Sequence, residues 1–320
     1  MALPELLQEL IENEAKKYPA EKLQAASDDL TRRYRERDVG NQAFMFSDIH
    51  RIAYLVARMP ATYAVVAKVI GSIPSVGNTL LDLGSGPGTV LWAAGATLHG
   101  LKQITCVEQD SSMVSLAKKM ASQSNISLIR EAKWQVGDIT GYSPEPHDLV
   151  VLSYAIGELP DEERRKLIQK AWSSTNQCLV IIEPGTMAGF AGIRVSRAEL
   201  IASGACIAAP CPHNLACPMA MNDWCHFAER LERTSLHRKM KSATLSYEDE
   251  KYSYVIACKQ PCEQVDARIL RHPGKHGGHI SFELCTPEGL QKKTVSKRDK
   301  EAFKIARKLE WGDELSPNLS

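Results

Sequence analysis

The sequence predicts a doubly wound α/β sheet, preceded by a helical block and followed by a cysteine-rich segment. Three observations carry this. A short apolar strand runs into a glycine turn and a helix over Leu80 to Ala94, LLDLGSGPGTVLWAA. From residue 79 to about 185, apolar strands alternate with helical patterns, as parallel strands joined by crossover helices do. The five strands end in order on Asp82, Glu108, Asp138, Ser153 and Glu183, so one edge of the sheet collects polar side chains.

Residues 1–75 read as a helical cap: Leu3, Leu6, Leu7, Leu10 and Ile11 form one apolar stripe, and a second helix follows from Leu23 to Arg37. That helix carries Arg32, Arg33, Arg35 and Arg37, diluted by Asp28, Asp29, Glu36 and Asp38, which favours a solvated face over a phosphate contact. The apolar stretch Ile49 to Ile70 has Pro60 in its middle and should break there. The core is expected over 76–203, a cysteine insertion over 204–245, and completion of the sheet with a basic segment over 246–320. In the core, strands are expected at Leu80–Leu83, through Glu108, before Asp138, at Asp148–Leu152 and in CLVIIEPGT. Helices follow at Ser111–Ser122, in DEERRKLIQKAW with acids in its first turn, and at Gly189–Ser203. HISFELC is expected as a seventh, antiparallel strand.

The turn holds Gly84, Gly86 and Gly88 in the spacing GxGxG, which lets a ligand approach the main chain. This is not the GxGxxG of dinucleotide sites, and Asp82 just ahead of it is a poor neighbour for pyrophosphate. A carboxylate there suits an ammonium or other positive ligand. Glu108, twenty residues beyond Gly88, stands where a second-strand acid takes both ribose hydroxyls. Together these features resemble motif I and its partners in class I S-adenosylmethionine (SAM) methyltransferases, with a Rossmann-like sheet. The resemblance implies a SAM site made of Asp82, Gly84, Ser85, Gly86 and Gly88, of Glu108 and Gln109 for the ribose, of Asp138 and Ile139 for adenine, and of Ser153–Tyr154 after strand four. The chain has SYAIGELP where amine methyltransferases carry D/N-P-P-Y/F, and no cysteine lies between Cys106 and Cys178 to act as a nucleophile. Catalytic residues are therefore unassigned.

Nine cysteines without a secretory leader favour metal binding over disulfides. Cys211, Cys217 and Cys225 are spaced C-x5-C-x7-C in a proline-rich segment that builds no core of its own, which implies a bound metal or cluster. The gaps exceed those of zinc hairpins and favour an iron–sulfur cluster, with zinc as the alternative. Cys206, His213, His226, Cys258, Cys262 and Cys285 all remain open as the fourth ligand.

RMPATYAVV, CPHNLACP, DWCHFAER, YEDEKYSYV, LRHPGKHGGHISFELC and ARKLEWGD together resemble the methyltransferase-like assembly factors of the small ribosomal subunit, known from mitochondria and from bacterial relatives. The resemblance runs from about residue 50 to the end. It implies a 4Fe–4S cluster on Cys211, Cys217, Cys225 and Cys285, and binding to small-subunit ribosomal RNA, with methyl transfer to it as the activity leaned toward. The alternatives are an assembly factor that binds SAM without turnover, and a small-molecule methyltransferase.

Charge agrees with an RNA partner. The formal net charge is only +1, yet residues 264–300 hold Arg268, Arg271, Lys275, Lys292, Lys293, Lys297, Arg298 and Lys300 against four acids. A second run comprises Arg230, Arg233, Arg238, Lys239 and Lys241. Trp224 and Phe227 are candidates to stack on bases, while Tyr252 and Tyr254 are expected in the core. The first residues are too acidic for a leader, so the expected compartment is the cytosol, or the mitochondrial matrix after removal of a presequence. A monomer without a membrane partner is expected.

Overall fold

A computed structural model of the chain describes residues 2–36, 47–73, 76–241 and 244–315. Arg37 and Asp38 lie outside the described residues, whereas Arg32 and Arg33 both pair with Asp29 on their own helix. Helices α1 (Glu5–Ala15), α2 (Ala20–Glu36), α3 (Asp48–Ala57) and α4 (Met59–Ile70) form the cap. Pro60 sits in the first turn of α4, where a missing N–H costs nothing, and the chain bends there by 52° between α3 and α4. Among the described residues no single helix is long and apolar enough to cross a membrane. The bent pair passes on length and composition alone, and its apolar residues pack in the interior.

The core follows as β1 (Thr79–Leu83), α5 (Thr89–Thr97), β2 (Gln103–Glu108), α6 (Ser111–Ala121), α7 (Ser127–Arg130), β3 (Lys133–Val136), β4 (His147–Ser153), α8 (Asp161–Ser173), β5 (Thr175–Pro184), α9 (Met187–Ala202) and β6 (Cys206–Ala209). Then come β7 (Phe227–Glu232), α10 (Ser235–Met240) and β8 (Tyr247–Cys258). The main sheet runs β3-β2-β1-β4-β5-β8-β6, parallel except for β8. This is the class I methyltransferase arrangement: strand order reverses between β1 and β4, leaving a crevice at the strands' carboxyl ends. Strand alternation divides the core. Leu80, Leu149, Val180 and Ile256 face the cap and α5, whereas Leu81, Val150, Leu179 and Val255 face α8 and α9.

Two expectations change. The sixth strand is Cys206–Ala209, so the three clustered cysteines follow it, between β6 and β8, rather than interrupting the sheet after β5. Ala205 and Ile207 are fully apolar and buried, enough to hold a short edge strand against Ile256 and Ala257. HISFELC does not join the main sheet. It is β11 (His279–Thr286) of a second, five-stranded sheet with β9 (Ala267–Ile269), β10 (Gly274–Lys275), β12 (Gly289–Ser296) and β13 (Glu314–Leu315), with α11 (Lys300–Ala306) against it. Its alternation buries Ile280, Phe282 and Leu284 against Ile269, Val295, Ala306 and Leu315, a core complete in itself.

The expectation against disulfides also changes. Four of the nine cysteines are bonded in pairs, Cys178–Cys258 and Cys206–Cys262, and this removes Cys206, Cys258 and Cys262 as candidate metal ligands.

Candidate cofactor and sulfur sites

At the carboxyl edge of β1, β2 and β4 lies a cavity of about 1240 Å³. Asp82, Gly84, Ser85, Gly86, Glu108, Gln109, Asp138, Ile139, Ser153 and Tyr154 all line it. Gly88 stands behind, capping α5 with φ +84°, and a Cβ there would press on the ring of Trp134. The turn is left-handed at Gly84, Gly86 and Gly88 alike, a path that side-chain-bearing residues rarely take.

Glu108 holds this turn. Its Oε2 accepts from Gly86 N at 2.9 Å and its Oε1 from Asp110 N at 2.9 Å. Each oxygen keeps a second lone pair for a ligand hydroxyl, so one carboxylate can both shape the turn and hold a ribose. Asp110 caps α6 and takes a bidentate pair from Arg51 of α3, at 2.7 and 3.0 Å, which ties the helical cap to the loop after β2. Asp138 accepts from Thr140 N and Oγ1, closing a turn below the cavity.

Three buried polar groups in the cavity wall have no hydrogen-bond partner among the described residues: both oxygens of Asp82, Ser85 Oγ and Tyr154 Oη. Burial, and then the neighbouring Glu108 carboxylate, pushes the Asp82 carboxyl well above the ordinary range. Groups of this kind cost free energy unless a ligand satisfies them. Tyr154 is also the one non-glycine residue with positive φ among those described, at +56°, where backbone strain accompanies function. Glu183, at the end of β5, does not line the cavity. Its Oε1 accepts from Ile156 N at 3.0 Å and latches the turn at Ile156–Glu158, and burial raises its carboxyl to about 7.

The sequence reading missed the far wall, made by the cap and the segment before β8: Tyr54, Arg58, Thr62, Met240 and Lys241. Polar residues within apolar helices, such as Arg58 at the α3–α4 junction, were the available signal. Arg58 pairs with Glu250, and Arg233 and Lys241 with Glu248, so this part of the second basic run is held internally.

A second, smaller cavity lies under α9. Cys211, Cys217, Cys225 and Cys285 line it with Arg197 and His213, walled by Phe190, Met219 and Leu270. Cys285 comes from the second sheet, so the cavity spans the seam between the two sheets. Burial pushes the thiols of Cys211, Cys225 and Cys285 upward, Cys285 to about 12, and each is raised further by other cysteines of the set. Against this, the buried Arg197 guanidinium donates Nε to Cys211 Sγ at 3.1 Å and Nη2 to the His213 carbonyl at 2.6 Å. Buried Arg268 donates to the Pro210 carbonyl next to Cys211. Two buried cations at a sulfur cluster of side chains fit a site whose sulfurs carry negative charge. Among the described residues no group of three or more His, Cys, Asp or Glu side chains is drawn together as a single metal ion requires.

The aromatic candidates divide. Trp224 stacks on His226 and donates to the Gly185 carbonyl, while Phe227 and Tyr252 are buried and pack with Tyr254. In the C-terminal basic segment Arg268 is buried, Arg271 pairs with Asp223 and Lys275 with Glu310. Lys292, Lys297, Arg298 and Lys300 stand exposed on β12, the turn after it and the start of α11.

Residues 48–316 match the profile of the family described as mitochondrial small ribosomal subunit Rsm22. The chain belongs to the Rsm22 family. It is 28% identical over 300 residues to the mitochondrial ribosome assembly protein METTL17 of Homo sapiens, covering 86% of this chain and 64% of that protein. To the mitochondrial Rsm22-cox11 tandem protein 2 of Schizosaccharomyces pombe it is 24% identical, covering 83% of this chain and 43% of that one. This Rsm22 chain thus spans less than two thirds of the length of either relative. Among solved structures it is similar to magnesium protoporphyrin IX methyltransferase from Synechocystis with bound SAM, at 17% identity and a TM-score of 0.42, over 72% of this chain and 91% of that one.

Proposed function

We propose that this chain is an assembly factor of the small ribosomal subunit that binds SAM in the large cavity and a 4Fe–4S cluster on Cys211, Cys217, Cys225 and Cys285. The observation that carries the SAM reading is the convergence of Asp82, Ser85 and Tyr154, buried and without hydrogen-bond partners among the described residues, on the cavity beside Glu108. Asp82 suits the ligand's ammonium, and Glu108 its ribose hydroxyls. When bound, SAM supplies an electrophilic methyl group. The chain's own part is to orient the ligand through the Gly84–Gly88 turn and to cover it with the helical cap. For the sulfur cavity, the buried Arg197 against Cys211 supports an anionic iron–sulfur group. The C-x5-C-x7-C spacing of Cys211, Cys217 and Cys225, longer than that of zinc hairpins, favours a cluster over a single zinc ion.

Association with the small subunit is supported by the family and by the name of the human relative. The exposed cations of the second sheet suit phosphate contacts. The mitochondrial names of both relatives favour the matrix over the cytosol. Methyl transfer to ribosomal RNA extends this reading. The test is labelled SAM with immature small subunits. We expect saturable SAM binding that weakens at least tenfold in Glu108→Ala, together with co-sedimentation with the particle. Label in RNA that disappears in that variant would establish turnover. Unchanged SAM affinity in Glu108→Ala would overturn the site.

A further inference from the structure

At the edge of the main sheet opposite the cofactor cavity, four cysteines meet that neither cavity uses. Cys258 of β8 is the register partner of Cys178 on β5 and also of Cys206 on β6. Residues paired across neighbouring strands point to the same face, with Cβ atoms about 5 Å apart. Cys206, Cys258 and Cys178 therefore form one row across three strands. Cys178 is bonded to Cys258, and Cys206 to Cys262 in the loop after β8, where Cys262 N also donates to Cys206 Sγ at 3.2 Å. Cys178 is 8% exposed, while Cys258, Cys206 and Cys262 are half-buried, so the Cys178–Cys258 pair is the inner one through Cys178 alone.

We propose that these four cysteines are a thiol–disulfide exchange site, in which Cys206 passes electrons from a dithiol reductant to the inner pair. Exchange is an in-line displacement: attacking, central and leaving sulfurs must lie in a row. The register supplies that row, with Cys258 between Cys206 and Cys178. A thiolate of the reductant attacks Cys262 Sγ and expels Cys206 as thiolate. The second thiol of the reductant then releases Cys262, and the reductant leaves as a disulfide. Cys206 attacks Cys258 Sγ, the bond to Cys178 breaks, and Cys178 takes up a proton. Cys262 then attacks Cys206, restoring the outer pair and freeing Cys258, which is protonated. The two electrons and two protons of the reductant end on Cys178 and Cys258. The tie between the parallel half of the sheet and its antiparallel strand is thereby opened.

The test uses the full chain, oxidised with glutathione disulfide, treated with substoichiometric dithiothreitol, alkylated and mapped by mass spectrometry. Free Cys178 and Cys258 should appear while Cys206–Cys262 stays bonded, and Cys206→Ala should slow their appearance at least tenfold. In Cys262→Ser the map should show a trapped Cys206–Cys258 bond with Cys178 free, a readout that survives if Cys206→Ala fails to fold. Reduction of the inner pair at an unchanged rate without Cys206 would overturn the proposal. So would an intact Cys178–Cys258 bond beside a free Cys206 in Cys262→Ser, or a failure of the four cysteines to pair on oxidation.

Discussion

The two cavities are built by opposite means. The near wall of the large one takes its polar groups from successive strand ends and turns between residues 82 and 158. The small one draws Cys211, Cys217 and Cys225 from an irregular segment and Cys285 from another sheet, and adds Arg197 and His213 to an otherwise mostly apolar lining. In the first, unsatisfied carboxylate and hydroxyl groups are tolerated on a rigid scaffold. In the second, buried Arg197 stands against the Cys211 sulfur and buried Arg268 against the adjoining Pro210 carbonyl, so the site and the packing around it are hard to separate. Removing a group should therefore cost ligand affinity in the first cavity and the folded state itself in the second.

The largest expected effect tests the second half of that contrast. Cys285→Ser should remove bound iron and destabilise the seam between the sheets by about 5 kcal/mol, because ligand binding and folding are one process at such sites. Iron content and thermal unfolding of anaerobically purified protein check this, and an unchanged midpoint with full iron would break the comparison.

Next is Glu183, whose burial raises its carboxyl to about 7. A carboxyl raised above its unfolded value stabilises the fold most when protonated, below about 4.5, and that stability is lost as pH rises through about 7. The loss is on the order of 3 kcal/mol. Glu183→Gln should flatten the fall in unfolding midpoint between pH 5 and 8. A fall as steep as in the unsubstituted protein would show that other groups set it.

Asp82→Asn separates binding from stability within the first cavity. Its carboxyl is also raised, so the substitution should stabilise the ligand-free protein by about 1 kcal/mol above neutral pH while weakening SAM binding about tenfold. Calorimetry and thermal unfolding on the same preparation read both, and a loss of stability would show that Asp82 is satisfied within the fold.

The smallest effect lies outside both cavities. Lys292→Glu with Lys293→Glu should lower the salt dependence of RNA binding by about two phosphate contacts, with little change in unfolding. An unchanged slope would move the RNA surface to another face.

The sequence carried the first cavity well because strand ends are local features. Alternation located β1, β2, β4 and β5, and Asp82 and Glu108 followed from the strand boundaries. Asp138 lies two residues past β3, a small displacement for the same reason. The far wall was not readable, since Tyr54, Arg58 and Lys241 reach the cavity only through the packing of the cap. The second sheet was misplaced because HISFELC has the same alternation whichever core it covers. Only the neighbours Val295, Ala306 and Leu315 decide which, and they are distant in chain order or in pattern. The pairing of Cys178 with Cys258 depends on register across eighty residues, which spacing does not encode.

Cys285 is contributed by the second sheet, well after the other three cysteines have been synthesised. While the chain emerges from a ribosome, Cys211, Cys217 and Cys225 are therefore complete as a set long before their fourth neighbour exists. The sulfur cavity can close only once the hairpin of β11 and β12 has emerged and docked. Closure of that cavity therefore waits on a single thiol that lies sixty residues beyond Cys225 in chain order.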